Sequence, residues 1–216
     1  MTRALADAGW DVAPALGKGD DVRAAAADVD LLVLSVPDAA VAEVAAAVEP
    51  VPSTVVAHLA GSFGLDVLAP HERRAAIHPL VSIPSGDTVL RGAWFAVAGD
   101  AIAREVVADL RGRAVEVHDD RRAAYHAAAC VASNHLVGLL GQVERVAASA
   151  GVPLEAFLAL ARQSLDNVAA LGPAAALTGP VKRGDRETVE RHRAALPADE
   201  VAAYDAGVAL CERLVP

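Results

Sequence analysis

The stretch Arg121 to Gly151, RRAAYHAAACVASNHLVGLLGQVERVAASAG, sets His126, Cys130, Ser133, Asn134 and His135 close together. It is Ala-rich and free of proline, which favours helix, and Gly151 ahead of Pro153 is a natural stop. On a wheel of about 100° per residue, His126, Cys130 and Ser133 share one narrow face. Asn134 sits at the margin of that face and His135 lies opposite His126. A neutral imidazole one turn from a thiol and two turns from a hydroxyl can relay a proton to a carbonyl or imine. Ser133 and Asn134 can hydrogen-bond a substrate oxygen. Alternatively, these groups satisfy one another or a neighbouring helix end. Tyr125 points about 100° away and reads as a packing residue with its hydroxyl at the rim. Small residues at 123, 124, 127, 128, 129 and 132 let another backbone come close.

Other candidates lie upstream and downstream. Ser35-Val36-Pro37-Asp38 follows an apolar strand, where open α/β sheets bind ligands. Its backbone could face a ligand there, or Pro37 could simply be the first residue of a helix capped by Ser35 or its neighbour. His58 and Gly61 end the next strand at the same sheet edge. His78 precedes Pro79, so its backbone is held extended; its imidazole could serve as acid, base or carboxylate ligand near neutral pH. Thr178 to Asp185, TGPVKRGD, reads as an irregular loop before a helix N-terminus. There Arg183 and free N–H groups could hold a carboxylate or phosphate, unless Arg183 and Asp185 merely brace two helices. No metal centre is expected, because His126 and His135 face opposite ways and nothing completes a ligand set.

The elements that must position these groups follow from the patterning. Residues 2–8 read as the end of a helix stopped by Gly9, 10–16 as a strand, and 17–20 as a turn. A short helix at 21–27 leads into the strand Leu31–Val36, an unbroken apolar run of the kind buried on both faces. A helix from 38 to 48, a strand at 54–58, a loop punctuated by Pro84, Ser85 and Gly86, and a strand at 92–97 follow. A helix at 101–112 and a strand at 114–117 complete an α/β pattern with a parallel sheet. Beyond His118-Asp119-Asp120 every segment reads helical: 121–150, 153–171, 185–196 and 199–214, with Asp185 as the N-cap of the third.

A chain of 216 residues at 54% hydrophobic can bury a real core. Its net charge of −9, with lysine only at 18 and 182 and no basic tract, argues against duplex nucleic acid as a partner, and no nucleic-acid partner is expected. Cys130 and Cys211 have neither C-x-x-C nor metal spacing, which fits a reducing cytoplasm. No signal peptide or 18-residue apolar run is found, so a soluble chain with no membrane partner is expected.

YHAAACVASNHL (125–136), Asn167 and ALTGPVKRGDRETVERH (176–192) resemble the helical half of the "domain of unknown function 2520" family. VPDAAVAEVA (36–45), HLAGSFGLDVLAP (58–70) and HPL (78–80) resemble its upstream segments. The resemblance implies a Rossmann-like domain over 1–117 followed by an all-helical substrate and dimerisation domain over 118–216. It also implies similarity to the 6-phosphogluconate-dehydrogenase-like and pyrroline-carboxylate-reductase-like enzymes. By that analogy the chain is an NAD(P)-dependent oxidoreductase acting on a small, anionic carbonyl, hydroxyl or imine compound in an interdomain cleft. His126, Ser133, Asn134 and His78 would be catalytic; Ser35, Val36, Pro37, Asp38, His58, Gly61 and Lys18 would face the cofactor; Asn167, Arg183 and Asp185 would face the substrate. Lys18, after the strand at 10–16, leans the cofactor from NAD towards NADP, although Asp20 and Asp21 are close. Ala-lined helix faces that four helices can hardly cover predict a homodimer.

A dinucleotide fold opens with a strand, a G-x-G-x-x-G turn and a helix, and this chain reads as starting inside that helix. Gly17-Lys18-Gly19 lies after the second strand. The missing strand would sit between 10–16 and 31–36, and the start is expected to be internal to a frame longer by roughly 10–25 residues. The alternative is a genuine loss, giving a degenerate fold whose role is non-catalytic metabolite binding or dimerisation.

Overall fold

The computed structural model describes residues 1–85 and 88–215, so Gly86 of the expected loop lies outside the described residues. The chain divides into two compact units, Met1–Ser133 and Asn134–Pro216.

The first unit is built on a five-stranded sheet in simple sequence order. Its strands are β1 (Leu31–Leu34), β2 (Val55–His58), β3 (Arg73–Pro79), β4 (Trp94–Gly99) and β5 (Arg113–Glu116). All neighbouring pairs are parallel except β3 and β4, which run antiparallel with His78 opposite Ala96. The apolar run of β2 suits its place inside the sheet, between β1 and β3. Val55 and Ala57 pack on one face with Ala75, Ile77, Phe95 and Val97, under Leu5 of α1 (Thr2–Asp7) and Val106 of α3 (Ile102–Asp109). Val56 points to the other face, where Leu34, Leu68 and the Val41 and Ala45 side chains of α2 (Val41–Ala47) cover it. Alternation along a strand thus fills two cores, one on each side of the sheet.

Several elements differ from the sequence expectation. Residues 10–16 are not a strand: Trp10 packs on the core while its indole N–H donates to Asp109 at 2.9 Å, and the segment joins no ladder. Residues 23–28 form successive turns rather than a helix. The sheet is mixed rather than parallel, because β4 runs antiparallel to β3; β3 itself was not legible as a strand, since it begins with two arginines and carries small alanines. Ser35 caps nothing; Pro37 precedes a single 3-10 turn (Asp38–Ala40) without a side-chain cap bond. The long helix is divided into α4 (Arg122–Cys130), a π turn (Val131–His135) and α5 (Leu136–Ser149).

The second unit is helical. After α5 come α6 (Leu154–Leu171), α7 (Pro173–Ala176), α8 (Gly179–Arg183), α9 (Arg186–Ala195) and α10 (Val201–Glu212). Gly151 sits at φ +71°, and the Val152 N–H turns back to the Ala147 carbonyl at 3.1 Å, the left-handed stop that a side chain would strain. The expected loop at 178–185 is largely the short α8, started by Pro180 in its first turn and ended by left-handed Gly184. Asp185 caps α9, accepting from the Thr188 N–H at 3.0 Å and its hydroxyl at 2.8 Å. Arg145 of α5 pairs with the buried Glu200 that precedes α10. Ala147 and Glu200 are the buried residues of this unit among those described. No helix among the described residues is long and apolar enough to cross a membrane.

Candidate functional site

Three parallel strands bring chemistry to one sheet edge. β2 ends on His58, β3 carries His78 just before its last residue, and β1 is followed by Ser35 to Asp38. The helix α4 supplies Arg122, Tyr125 and His126. The His78 Nδ1 lies 2.6 Å from the Tyr125 hydroxyl. The rings of His78 and His126 meet edge to face with centroids 6.0 Å apart, and those of His78 and Tyr125 likewise at 5.6 Å. One turn further along α4, the Cys130 Sγ is 3.9 Å from His126 Nε2.

Gly61 makes this gathering sterically possible. A Cβ built there would stand 2.5 Å from His126 Cδ2 and 2.8 Å from His78 Nε2. The two imidazoles therefore occupy the room that any side chain at 61 would need. Gly64 plays the same part for Asp119, whose carboxylate accepts the Leu65 N–H at 3.0 Å.

Burial sets the protonation. It pushes His78 down to about 4, helped by the charges of His126 and Arg122 and opposed by Asp38. The same desolvation raises the Tyr125 hydroxyl above its usual range, with Arg122 pulling the other way. At neutral pH the pair is thus a protonated phenol and a neutral imidazole. Two tautomers satisfy the bond: the phenol donates to Nδ1 and the imidazole proton sits on Nε2, on the side of Gly61 and His126, or Nδ1–H donates to the phenol oxygen. His58 is buried and lowered, chiefly by desolvation, and its Nε2 is 3.1 Å from the Gly64 carbonyl oxygen. Its Nδ1 is left buried without a partner among the described residues.

Arg122 is the least expected member. Its side chain is 0% exposed, and Nε, Nη1 and Nη2 are all buried without a hydrogen-bond partner among the described residues. Asp119 approaches Nε only to 4.0 Å. Burial lowers the guanidinium from its usual value, against the pull of Asp119 and Tyr125.

The structure thus brings together His78, His126 and Gly61 of the expected residues. Ser35, Pro37 and Asp38 are exposed beyond β1, Val36 is half-buried, and Asp38 is close enough to influence both His58 and His78. Lys18 is exposed on the turn in which the Gly17 N–H donates to Asp20 at 2.6 Å. Ser133 and Asn134 lie in the π turn, where each residue rotates less than in an α-helix, so the uniform wheel from His126 does not carry through to them. Asn134 and Asn167 are exposed, as is Arg183 at the end of α8; the Asp185 carboxylate is taken up by Thr188. Tyr125 and Arg122 were missed. The tyrosine was legible in principle, since it lies beside His126 and a short strand ending in His-Pro could reach it. Among the described residues no group of His, Cys, Asp and Glu could hold a metal ion.

Comparison with known proteins supports this architecture. Residues 18–84 match a Rossmann-like domain. The curated proteins contain no match. A Thermotoga maritima protein, TM1727, is 26% identical in sequence and superposes with a TM-score of 0.70, covering 85% of this chain and 76% of its own. An Aspergillus terreus reductive aminase in complex with NADPH and ethyl levulinate is 19% identical with a TM-score of 0.64, over 89% of this chain and 76% of its own. A Plasmodium falciparum pyrroline carboxylate reductase with NADP bound is 11% identical with a TM-score of 0.60, over 100% and 93%. These likenesses show the fold, a mostly parallel Rossmann-like domain followed by a helical region. Residues 95–209, more than half of the chain, match the model described as "Domain of unknown function (DUF2520)", and the chain belongs to that family.

Proposed function

We propose that the protein is an NAD(P)-dependent oxidoreductase that reduces, or reoxidises, a small carbonyl, hydroxyl or imine compound. The observation that carries this reading is the Tyr125–His78 pair, protonated phenol on neutral imidazole, held over Gly61 at the carboxyl edge of a parallel sheet. The fit of a dinucleotide rests on that edge, where Ser35, Pro37 and Asp38 stand exposed beyond β1 and would hold it. A nicotinamide bound at this edge would supply or accept the hydride. The chain's own groups handle the proton. In the tautomer with the phenol as donor, His78 Nε2–H gives its proton to the substrate oxygen or nitrogen as negative charge develops there, and Tyr125 refills Nδ1 through its 2.6 Å bond. Tyr125 regains its proton from solvent, and the reverse sequence serves oxidation. His126 closes the far side of the imidazole and holds its plane.

The cofactor preference is NADP. Lys18 is exposed and free to meet a 2′-phosphate, while Asp20 is engaged with the Gly17 N–H. The reductive aminase and the pyrroline carboxylate reductase carry NADPH and NADP. A fluorescence titration with NADPH and NADH tests the reading: saturable binding tighter for NADPH supports it, and no binding of either overturns it.

The assembly is a homodimer formed through the second unit. Its support is apolar exposure: Val137, Leu139, Leu160, Leu165, Leu171 and Leu210 are each more than half exposed, on α5, α6 and α10. Exposed apolar area of this extent marks an interaction surface. Free Cys130 and Cys211 support a cytoplasmic location.

A further inference from the structure

We propose that Asp119 is a positioning residue: it clips the loop after β2 onto the start of α4, and so holds Tyr125 and His126 against His78. What the held pair does rests on the oxidoreductase reading; how it is held does not.

Two glycines of that loop need no special backbone. Neither Gly61 nor Gly64 has a positive φ, and Gly64 is extended at φ −83°. Alanine suits such a backbone, so what glycine provides here is room. The room is taken by side chains from the entry and early part of α4. A Cβ at 61 would stand 2.5 Å from His126 Cδ2, and one at 64 would stand 2.5 Å from Asp119 Cγ. The loop therefore lies flat against that segment and touches it at both ends, once at the chemistry and once at Asp119.

Asp119 spends its carboxylate on this contact. It stands in the 3-10 turn Asp119–Arg121 that leads into α4, where an acid often caps its own helix, yet neither the turn nor α4 has a side-chain cap bond. Its Oδ2 instead accepts the Leu65 N–H at 3.0 Å, across 54 residues of chain. Leu65 opens the 3-10 turn Leu65–Leu68, and the preceding Gly64 has no side chain to cap it. Asp119 thus serves a donor that the turn leaves over. Two strands grip the same stretch from the other side. The His58 ring at the end of β2 lies 3.1 Å from the Gly64 carbonyl oxygen, and Arg74 of β3 donates to the Leu65 carbonyl oxygen at 3.3 Å. These two contacts fix the loop to the sheet, and Asp119 fixes the start of α4 to the loop.

The consequence falls on the residues that α4 carries. The Tyr125 hydroxyl reaches His78 Nδ1 at 2.6 Å, and the His126 ring meets the His78 ring edge to face at 6.0 Å. A hydrogen bond of that length weakens steeply as its partners drift apart, so a clip at the head of the helix decides whether they meet. The Asp119 side chain is itself 48% exposed, so losing it removes little buried surface and leaves the sheet intact.

The test uses the full chain labelled with 13C and 15N, without nicotinamide, and reads amide exchange and the titration of the His78 ring by nuclear magnetic resonance. The His78 signal is identified by its loss in His78→Asn. Asp119→Ala should speed exchange of the Leu65 amide about tenfold while the β2 amides of Val56 and Ala57 keep their wild-type rates. It should also raise the His78 midpoint from about 4 towards 6.5, by about one unit, as the ring gains water. The sign separates position from charge, because loss of a carboxylate alone lowers a nearby imidazole. The groups that face His78, namely Asp38, His58, Arg122, Tyr125 and His126, are unaltered in the variant. Asp119→Asn, which keeps an acceptor for the Leu65 N–H, should restore both readings. Should Asp119→Ala not fold, Gly64→Ala, whose Cβ would push Asp119 aside, should raise the midpoint likewise. A His78 midpoint unmoved or lowered, faster exchange throughout the sheet, or an asparagine variant that behaves as the alanine variant overturns the proposal. No hydride transfer is involved, so failure here leaves the oxidoreductase reading standing, and failure to bind NADPH leaves the clip standing.

Discussion

His78 is a histidine made into a neutral hydrogen-bonding group by its surroundings. Its folded pKa of about 4 lies below the ordinary value of 6.5, so the unfolded chain binds the proton first. Its contribution to stability is full above pH 6.5 and is lost as the pH falls from 6.5 towards 4. His58, lowered by the same burial, acts in the same direction. The thermal midpoint should therefore fall between pH 7 and pH 4.5. His78→Asn, which keeps an acceptor for Tyr125, should flatten that fall; an unchanged slope would remove His78 from the explanation. At this scale the sequence showed which residue types carry chemistry but not which would meet. His126 and Gly61 stood out, and a Pro after His78 marked its place. Tyr125 was judged from the wheel of its own helix, and only β3 arriving from another part of the chain turns its hydroxyl into the partner of His78. Arg122 reads as an ordinary polar residue in a first helical turn, and nothing local reveals that its side chain is buried.

At the scale of elements, caps and apolar runs were legible because their physics is local. Gly9 and Gly151 stop helices in left-handed conformation, and the runs at 31–34 and 55–58 form strands; the second is buried throughout, whereas the first, expected to be buried on both faces, is a half-buried edge strand. Asp185 was expected to cap α9 and does. Replacing it by alanine should cost about 1 kcal/mol, the usual worth of such a cap. Denaturant unfolding followed by circular dichroism measures this, and a change of only a few tenths would show that Thr188 needs no acceptor. What was not legible depended on distant partners. Residues 10–16 have strand-like composition but no ladder to join, while β3 has poor strand composition and is completed by its neighbours β2 and β4. The π turn at Val131–His135 breaks a run whose composition favours an unbroken helix. Such turns occur often at functional sites, and this one begins directly after Cys130, which touches His126.

For the molecule as a whole, the contrast between the two units is the main observation. The first buries apolar residues on both faces of its sheet; the second buries little beyond Ala147 and Glu200 and exposes leucines on several helices. Composition foretold this through alanine-rich helices too narrow to cover one another. Light scattering at micromolar concentration should return twice the chain mass of 22.0 kDa, and Leu160→Glu combined with Leu171→Glu should return the single mass. A monomeric wild type would refute the homodimer. The central claim, that the His78–Tyr125 pair delivers a proton in a nicotinamide-dependent reduction, is tested most directly by transfer of deuterium. NADPH carrying deuterium at the reactive carbon is incubated with a panel of small 2-oxo and cyclic imino acids, and the products are weighed by mass spectrometry. The account predicts one deuterium in a reduced product with wild type, and at least a hundredfold slower incorporation with Tyr125→Phe and with His78→Ala at unchanged NADPH affinity. Incorporation at the wild-type rate in both variants, or none in wild type that binds NADPH, would contradict it.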